Sequence, residues 1–217
     1  MARPHYDLCV ITRAVPHLGR DHLDVARAAL EGGARFLQFR EKEMTTRELV
    51  DTAGELLRLA REFGAVLVVN DRVDVALAVG ADGVHVGESD LPVAVARRTL
   101  GPGAIIGASA ATVESARAAE AEGADYLGIG PIFPTGSKAD AGEAIGLAPI
   151  AAIRAAVKLP VLGIGGINAS NAVEVIRAGA EGVAVVSAVS DAEDMQRATA
   201  ELLRRIADAQ EKRVDPV

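Results

Sequence analysis

The chain has 217 residues, half of them apolar but only 3% aromatic, with no tryptophan, one cysteine and a formal net charge of −7. Its length allows one large domain or two small ones, and a core without aromatics must come from Ala, Val, Leu and Ile, the palette of buried parallel strands covered by helices. The acidic balance argues against a nucleic-acid partner, and the single Cys9 excludes a disulfide framework or a cysteine-rich zinc site.

No run near Met1 resembles a signal peptide, and none approaches the roughly 20 apolar residues of a membrane span. A cytoplasmic protein with no membrane partner is the expectation, with a homo-oligomer left open.

Residues 8–11 form the first of eight short apolar runs and contain Cys9, which reads as a buried, inert thiol. The second run, 36–39, ends in Gln38-Phe39-Arg40-Glu41-Lys42. Gln38, Arg40 and Lys42 alternate, so they share one face of a strand end, and that face needs an anion: Arg40 can grip phosphate oxygens bidentately while Lys42 adds a point charge. Over 46–61, Leu49, Ala53, Leu56, Leu57 and Ala60 share one helical face.

The third run, 66–69, leads into Asn70-Asp71-Arg72, and the fourth, 83–86, leads through Gly87 to Asp90. Alone, each aspartate reads as a helix cap, with helices starting near Val73 and Pro92. As a pair on neighbouring strands they read as ligands of a shared Mg²⁺, which takes one or two carboxylates and fills its remaining positions with water and substrate phosphate. His85 reads as a packing or hydrogen-bonding histidine, and His5, His17 and His22 show no ligand spacing.

The fifth run, 105–106, precedes Ser109 and a helical pattern over 115–122. The sixth, 126–129, opens a long connection over 130–146 that holds Thr135-Gly136-Ser137-Lys138, two hydroxyls and a lysine placed to close over an anion. The seventh, 161–164, ends in Gly165-Gly166 before a helix over 169–178, and the eighth, 182–186, ends in Val186-Ser187. These last two turns match the usual barrel site where bare backbone N–H groups meet a phosphate. A helix over 193–209 and a polar tail over 210–217, expected to be disordered, complete the chain.

Strands alternating with helices imply a parallel α/β sheet. Gly33-Ala34-Arg35, Gly80-Ala81-Asp82, Gly123-Ala124-Asp125 and Gly179-Ala180-Glu181 precede the second, fourth, sixth and eighth runs. Each glycine suits a left-handed helix cap, and four two-strand units favour a closed (βα)₈ TIM barrel, one domain over 1–217, rather than an open sheet. In a barrel every polar cluster above falls at the C-terminal strand ends, where active sites lie. No Ser-His-Asp triad, Cys-His pair, histidine metal cluster or dinucleotide-binding glycine fingerprint is present, so the chemistry is anion positioning and charge stabilisation.

Five strings together are specific: Gln38-Phe39-Arg40-Glu41-Lys42; Asn70-Asp71-Arg72; Gly83-Val84-His85-Val86-Gly87 with Asp90-Leu91-Pro92; Gly128-Ile129-Gly130-Pro131-Ile132-Phe133-Pro134-Thr135 with Lys138; and Gly163-Ile164-Gly165-Gly166-Ile167. From about residue 6 to 190 the chain resembles the thiamine phosphate synthase (thiamine-phosphate pyrophosphorylase) family. The resemblance implies a (βα)₈ transferase that condenses 4-amino-2-methyl-5-(diphosphooxymethyl)pyrimidine with a thiazole ethyl phosphate, with or without a 2-carboxylate. Thiamine phosphate and pyrophosphate are the products, and pyrophosphate leaves by Mg-assisted dissociation before attack.

It also implies that Gln38, Phe39, Arg40, Glu41, Lys42, Asn70, Ser109 and Lys138 bind the pyrimidine diphosphate, with Arg40, Lys138 and Ser109 acting in catalysis. One Mg²⁺ would sit on Asp71 and Asp90. The thiazole phosphate would sit on Thr135, Gly136, Ser137, Gly165, Gly166, Val186 and Ser187. The chain departs from the family's pattern at Ala110-Ala111, where Thr or His often follows the serine, and at Glu88-Ser89, where Gln-Glu is more usual. A thiazole tautomerase on the same fold would lose the diphosphate and magnesium residues and use a histidine near Ala111. A non-catalytic thiamine-precursor sensor is the alternative from another class; an intact leaving-group site speaks against it, and turnover would exclude it.

Overall fold

The computed structural model describes residues 5–137 and 142–214. Each apolar run is a strand: β1 (Leu8–Thr12), β2 (Phe36–Phe39), β3 (Val66–Asn70), β4 (Gly83–Val86), β5 (Ile105–Ser109), β6 (Tyr126–Ile129), β7 (Val161–Ile164) and β8 (Gly182–Val185). They pair in sequence order, all parallel, and β8 pairs back onto β1 with Leu8 opposite Val183. The fold is a closed (βα)₈ barrel.

Between and after the strands run α1 (His22–Glu31), α2 (Thr46–Glu62), α3 (Val73–Val79), α4 (Val93–Leu100), α5 (Val113–Ala121), α6 (Ala148–Ala156), α7 (Ala172–Arg177), the short α8 (Ser187–Ser190) and α9 (Met195–Val214). Three helices start at reciprocal capping boxes, Asp21 with Asp24, Thr45 with Glu48 and Thr112 with Ser115, each cap contributing about 1 kcal/mol. Thr112 draws α5 two residues ahead of the expected start. In α2 Leu59 is buried where Leu57 was expected.

Strand alternation sorts the core into two parts. One lies between strands and helices; the other fills the barrel with Cys9, Ile11, Phe36, Val66, Val68, Ile105, Tyr126, Leu162 and Ala184. Tyr126 fits inside because its partner across the strands is Gly107, where a Cβ would lie 2.1 Å from the phenol ring. That small residue is also why the fifth strand looked shorter in the sequence than it is.

The four Gly-Ala cassettes recur in space. Gly33, Gly80, Gly123 and Gly179 all have positive φ, between 67° and 116°, a conformation glycine adopts without steric cost. In three cassettes the third residue is a carboxylate that accepts a hydrogen bond from the first residues of the preceding strand. Asp82 accepts from the Leu67 N–H (2.9 Å), Asp125 from Ile106 (2.7 Å) and Glu181 from Val161 (2.7 Å). Each also pairs with an arginine from the even-numbered helix that leads into that strand: Arg61, Arg97 and Arg154.

The tail expected to be disordered from 210 onward is instead helical through Val214. Leu202, Ile206 and Ala209 bury a continuous face, and the Gln210 amide donates to Asp7 Oδ1 (3.1 Å) and to the Glu181 carbonyl (2.7 Å). Polar composition concealed a side chain that fastens the barrel's closing helix. No helix among the described residues is long and apolar enough to cross a membrane.

Candidate active site

A cavity of about 510 Å³ opens where the strands end, within the range of small-molecule sites. On β2 the alternation holds: Gln38, Arg40 and Lys42 line the cavity. Phe39 and Glu41 have the opposite parity and do not. Phe39 is buried in the helix-facing core, its ring edge-on to His22 at 5.0 Å. The Glu41 carboxylate accepts from the Lys42 and Glu43 N–H groups (2.5 and 2.8 Å) and meets His22 Nε2 at 3.2 Å. The other ring nitrogen of His22 meets Thr12 Oγ1 at 2.9 Å. Burial lowers the pKa of His22 against the pull of Glu41, and the Thr12–His22–Glu41 chain ties down the backbone at Lys42 and Glu43.

Asp71 is the one non-glycine residue with positive φ among those described, at 59°. Its N–H continues the ladder to the His85 carbonyl (2.8 Å), and the turn aims its carboxylate into the cavity. The capping reading of Asp71 does not hold, because α3 has Arg72 at its N-cap position and no side-chain cap bond. Instead Asp71 pairs with Lys42 and lies beside Asp90. Burial and the Asp90 carboxylate raise the pKa of Asp71, against the opposing pull of Lys42. Asp90 Oδ2 accepts from the Gly87 N–H (2.9 Å), and a Cβ on Gly87 would stand 2.8 Å from that oxygen.

Among the described residues no three His, Cys, Asp or Glu side chains form a metal cluster. The Asp71–Asp90 pair still fits Mg²⁺, which needs only one or two carboxylates when phosphate and water complete its shell. Two like charges held together, one with its ionised form already disfavoured, are what a divalent cation relieves.

The cavity floor is a polar chain. His85 Nδ1 lies 2.9 Å from the Tyr126 hydroxyl and its Nε2 lies 3.1 Å from Ser109 Oγ, while Tyr126 also bonds Gln38. His85 is thus the hydrogen-bonding histidine expected, but it also lines the site. Asn70 lines the cavity as well.

On the opposite side, the segment after β6 runs along β7. The Ile132 N–H donates to Ile164 O (2.8 Å) and the Phe133 N–H to Gly165 O (3.1 Å). This sets Pro131 against Gly165 and Phe133-Pro134 against Gly166, and Ser137 Oγ lies 3.2 Å from Ser187 Oγ. Thr135, Ser137, Gly165, Gly166, Val186 and Ser187 all line the cavity; Gly136 sits in the turn between two of them and does not. Lys138 lies outside the described residues.

The lining also includes Thr12, Arg13, Glu88 and Ser89, which carried no role in the sequence. Arg13 was open to detection, since it keeps the parity of Cys9 and Ile11.

The model of the family described as "Thiamine monophosphate synthase" matches residues 8–189. The chain belongs to that family. It is 53% identical over 209 residues to a thiamine-phosphate synthase of Moorella thermoacetica, covering 96% of this chain and 100% of that one. It is 51% identical to a thiamine-phosphate synthase of Methanoculleus marisnigri, covering 94% and 97%. A solved structure titled thiamine phosphate pyrophosphorylase from Pyrococcus furiosus superposes with a TM-score of 0.86 at 46% identity, covering 94% and 97%. The thiamine monophosphate synthase match spans all eight strands, so every strand end described above lies within it.

Proposed function

We propose that the chain is a thiamine phosphate synthase, a cytoplasmic transferase of thiamine biosynthesis that joins the pyrimidine diphosphate and the thiazole ethyl phosphate. One observation carries the detailed reading. A single cavity sets a carboxylate pair with Arg40 and Lys42 on one side, and a hydroxyl and glycine cradle without a carboxylate on the other. Two anionic groups of different kinds fit such a site.

The diphosphate lies against Arg40 and Lys42. Lys42, paired with Asp71, would be released to the phosphate oxygens once that carboxylate held a metal. Asp71 and Asp90 would hold Mg²⁺, which when bound would supply positive charge for the pyrophosphate leaving group. Gln38 and Ser109, both tied to the Tyr126–His85 chain, fix the pyrimidine through their remaining hydrogen-bonding capacity, with Asn70 beside them. Arg40 steadies the leaving group as the C–O bond breaks; Lys138 is assigned the same task. The thiazole phosphate rests on Thr135, Ser137, Gly165, Gly166, Val186 and Ser187. The thiazole nitrogen attacks with its own lone pair, so no protein nucleophile is needed.

The test is thiamine phosphate formation from both substrates, read as its oxidised fluorescent product. Product should require both substrates and Mg²⁺. Asp90→Asn should lower kcat by about 100-fold or more, the scale on which a preorganised transition-state contact acts. Full activity without added metal, or in Asp90→Asn, would remove the metal assignment.

A further inference from the structure

The thiazole phosphate side of the cavity has a counterion nearby that the function above does not use. A phosphate monoester carries close to two negative charges at neutral pH. The described lining residues beyond β6, β7 and β8 offer hydroxyls and backbone N–H groups, but no cationic side chain. Arg13 stands next to them. Along β1, Cys9 and Ile11 face the barrel interior, and Arg13 keeps that parity at the mouth, where it lines the cavity. Because β8 pairs with β1, with Val10 opposite Val185, Arg13 rises beside the turn that carries Val186 and Ser187.

Arg13 is occupied by Asp191, the residue that ends α8. Both side chains are substantially exposed, at 34% and 43%, and so exposed a pair contributes little to stability. Nor is the pair needed to fasten the two segments. Arg20, from the same β1–α1 connection, already donates to the carbonyls of Ser190 (2.8 Å), Ala192 (2.7 Å) and Glu193 (3.2 Å). Asp191 is separately engaged by Ser190 Oγ at 2.9 Å. What the pair does is hold a guanidinium, with its flat two-pronged donor set, at the edge of a phosphate cradle.

We propose that Arg13 binds the phosphate of the thiazole substrate, and that Asp191 competes with that phosphate for the guanidinium. The inference rests on the assignment of this side of the cavity to the thiazole phosphate. It makes the two members of one ion pair act with opposite signs. Removing Arg13 weakens binding of the phosphorylated acceptor. Removing the charge of Asp191 strengthens it, because the guanidinium is then released to the phosphate without first breaking a bond.

The experiment is steady-state kinetics of the Mg²⁺-loaded protein with both substrates. The acceptor used is a thiazole phosphate lacking the 2-carboxylate, so that the readout reports on phosphate alone. Arg13→Gln should raise KM for that acceptor about tenfold or more, as loss of a charge-assisted hydrogen bond does, with a much smaller effect on kcat and on KM for the pyrimidine diphosphate. Arg13→Lys should recover part of the loss, and Asp191→Asn should lower the same KM. An equal rise in KM or equal loss of Tm in Arg13→Gln and Asp191→Asn would make the pair a structural strut and overturn the proposal. Ser187→Ala separates the two levels. If it raises the acceptor KM while Arg13→Gln does not, the inference alone fails. If neither changes it, the phosphate assignment fails as well.

Discussion

At Asp71 function and stability oppose each other within one side chain. Its backbone is held at φ 59°, a region where Asp and Asn are tolerated better than other non-glycine residues, and its carboxylate is pushed toward the protonated form by burial and by Asp90. Its pKa in the fold lies above the ordinary 3.8. The stability linked to this group is therefore complete below that ordinary value and is lost as pH rises through the raised one. At neutral pH the ionised Asp71 burdens the metal-free protein. Asp71→Asn keeps the turn and removes the charge, so the metal-free variant should have a higher Tm than the parent in EDTA, while Mg²⁺-dependent turnover disappears. An unchanged or lower Tm would show that the carboxylate is not held under strain. The pairing of Asp71 with Asp90 could be anticipated from their places after neighbouring strands. The left-handed turn could not: residue type only permits it, and it goes with a backbone bond to His85 on the neighbouring strand.

The units of the fold are strand–helix pairs closed by a glycine turn, and the two ends of each strand do different work. At the N-terminal ends the carboxylates of Asp82, Asp125 and Glu181 each satisfy a strand N–H and an arginine. Asp82, 1% exposed, is the most buried of them. Asp82→Ala leaves the Leu67 N–H without its acceptor and should cost about 1–3 kcal/mol of stability, measured by urea denaturation, with kcat and both KM values unchanged. A kinetic effect comparable to the stability loss would mean that the two ends of the barrel are coupled. At the C-terminal ends the close approaches belong to the site. A Cβ on Gly166, at φ 64°, would fall 2.6 Å from the Pro134 carbonyl and 2.8 Å from Phe133 Cβ. Gly166→Ala should therefore displace the Thr135–Ser137 side, raising KM for the thiazole phosphate about tenfold while costing roughly 1–3 kcal/mol. A normal KM would show that the loop can yield without moving the cradle.

Element by element, the strands were legible because unbroken Val- and Ile-rich runs need a sheet with both faces covered. The cassette glycines were legible because a helix that turns back into a sheet needs positive φ. The inward alternation of Gln38, Arg40 and Lys42 followed from strand geometry, and the same rule sets Phe39 and Glu41 outside the cavity. Helix ends were less legible: α7 starts at Ala172 because Asn171 is spent on the Gly166 carbonyl (3.0 Å) and the Asn168 N–H (2.8 Å). Such local bonds leave no periodic trace.

At the scale of the whole molecule, the barrel brings together groups separated by most of the chain, and a ligand that bridges them should stabilise all of it. Mg²⁺ together with pyrophosphate, each binding only the folded state, should act this way. At about 100 times its Kd such a ligand adds about 2.7 kcal/mol, roughly 5–10 °C in Tm for a domain of this size. Mg²⁺ or pyrophosphate alone should give much less, since each lacks the other as partner. Equal shifts from pyrophosphate with and without Mg²⁺, read by differential scanning calorimetry, would indicate that Arg40 and Lys42 bind the anion without the carboxylate pair.

The sequence by itself determined the strand–helix alternation, the four glycine turns and the end of the barrel where charge collects. All of these are consequences of local periodicity and backbone freedom. Only the tertiary structure decided that Asp71 faces Asp90 and Lys42, that Ser137 reaches Ser187 across 50 positions, and that Arg13 lines the same cavity as Ser187 with Asp191 beside it. The reason is physical: side-chain meetings across a closed barrel depend on the register of eight strands and the return of the last onto the first, and no local stretch of chain contains that closure.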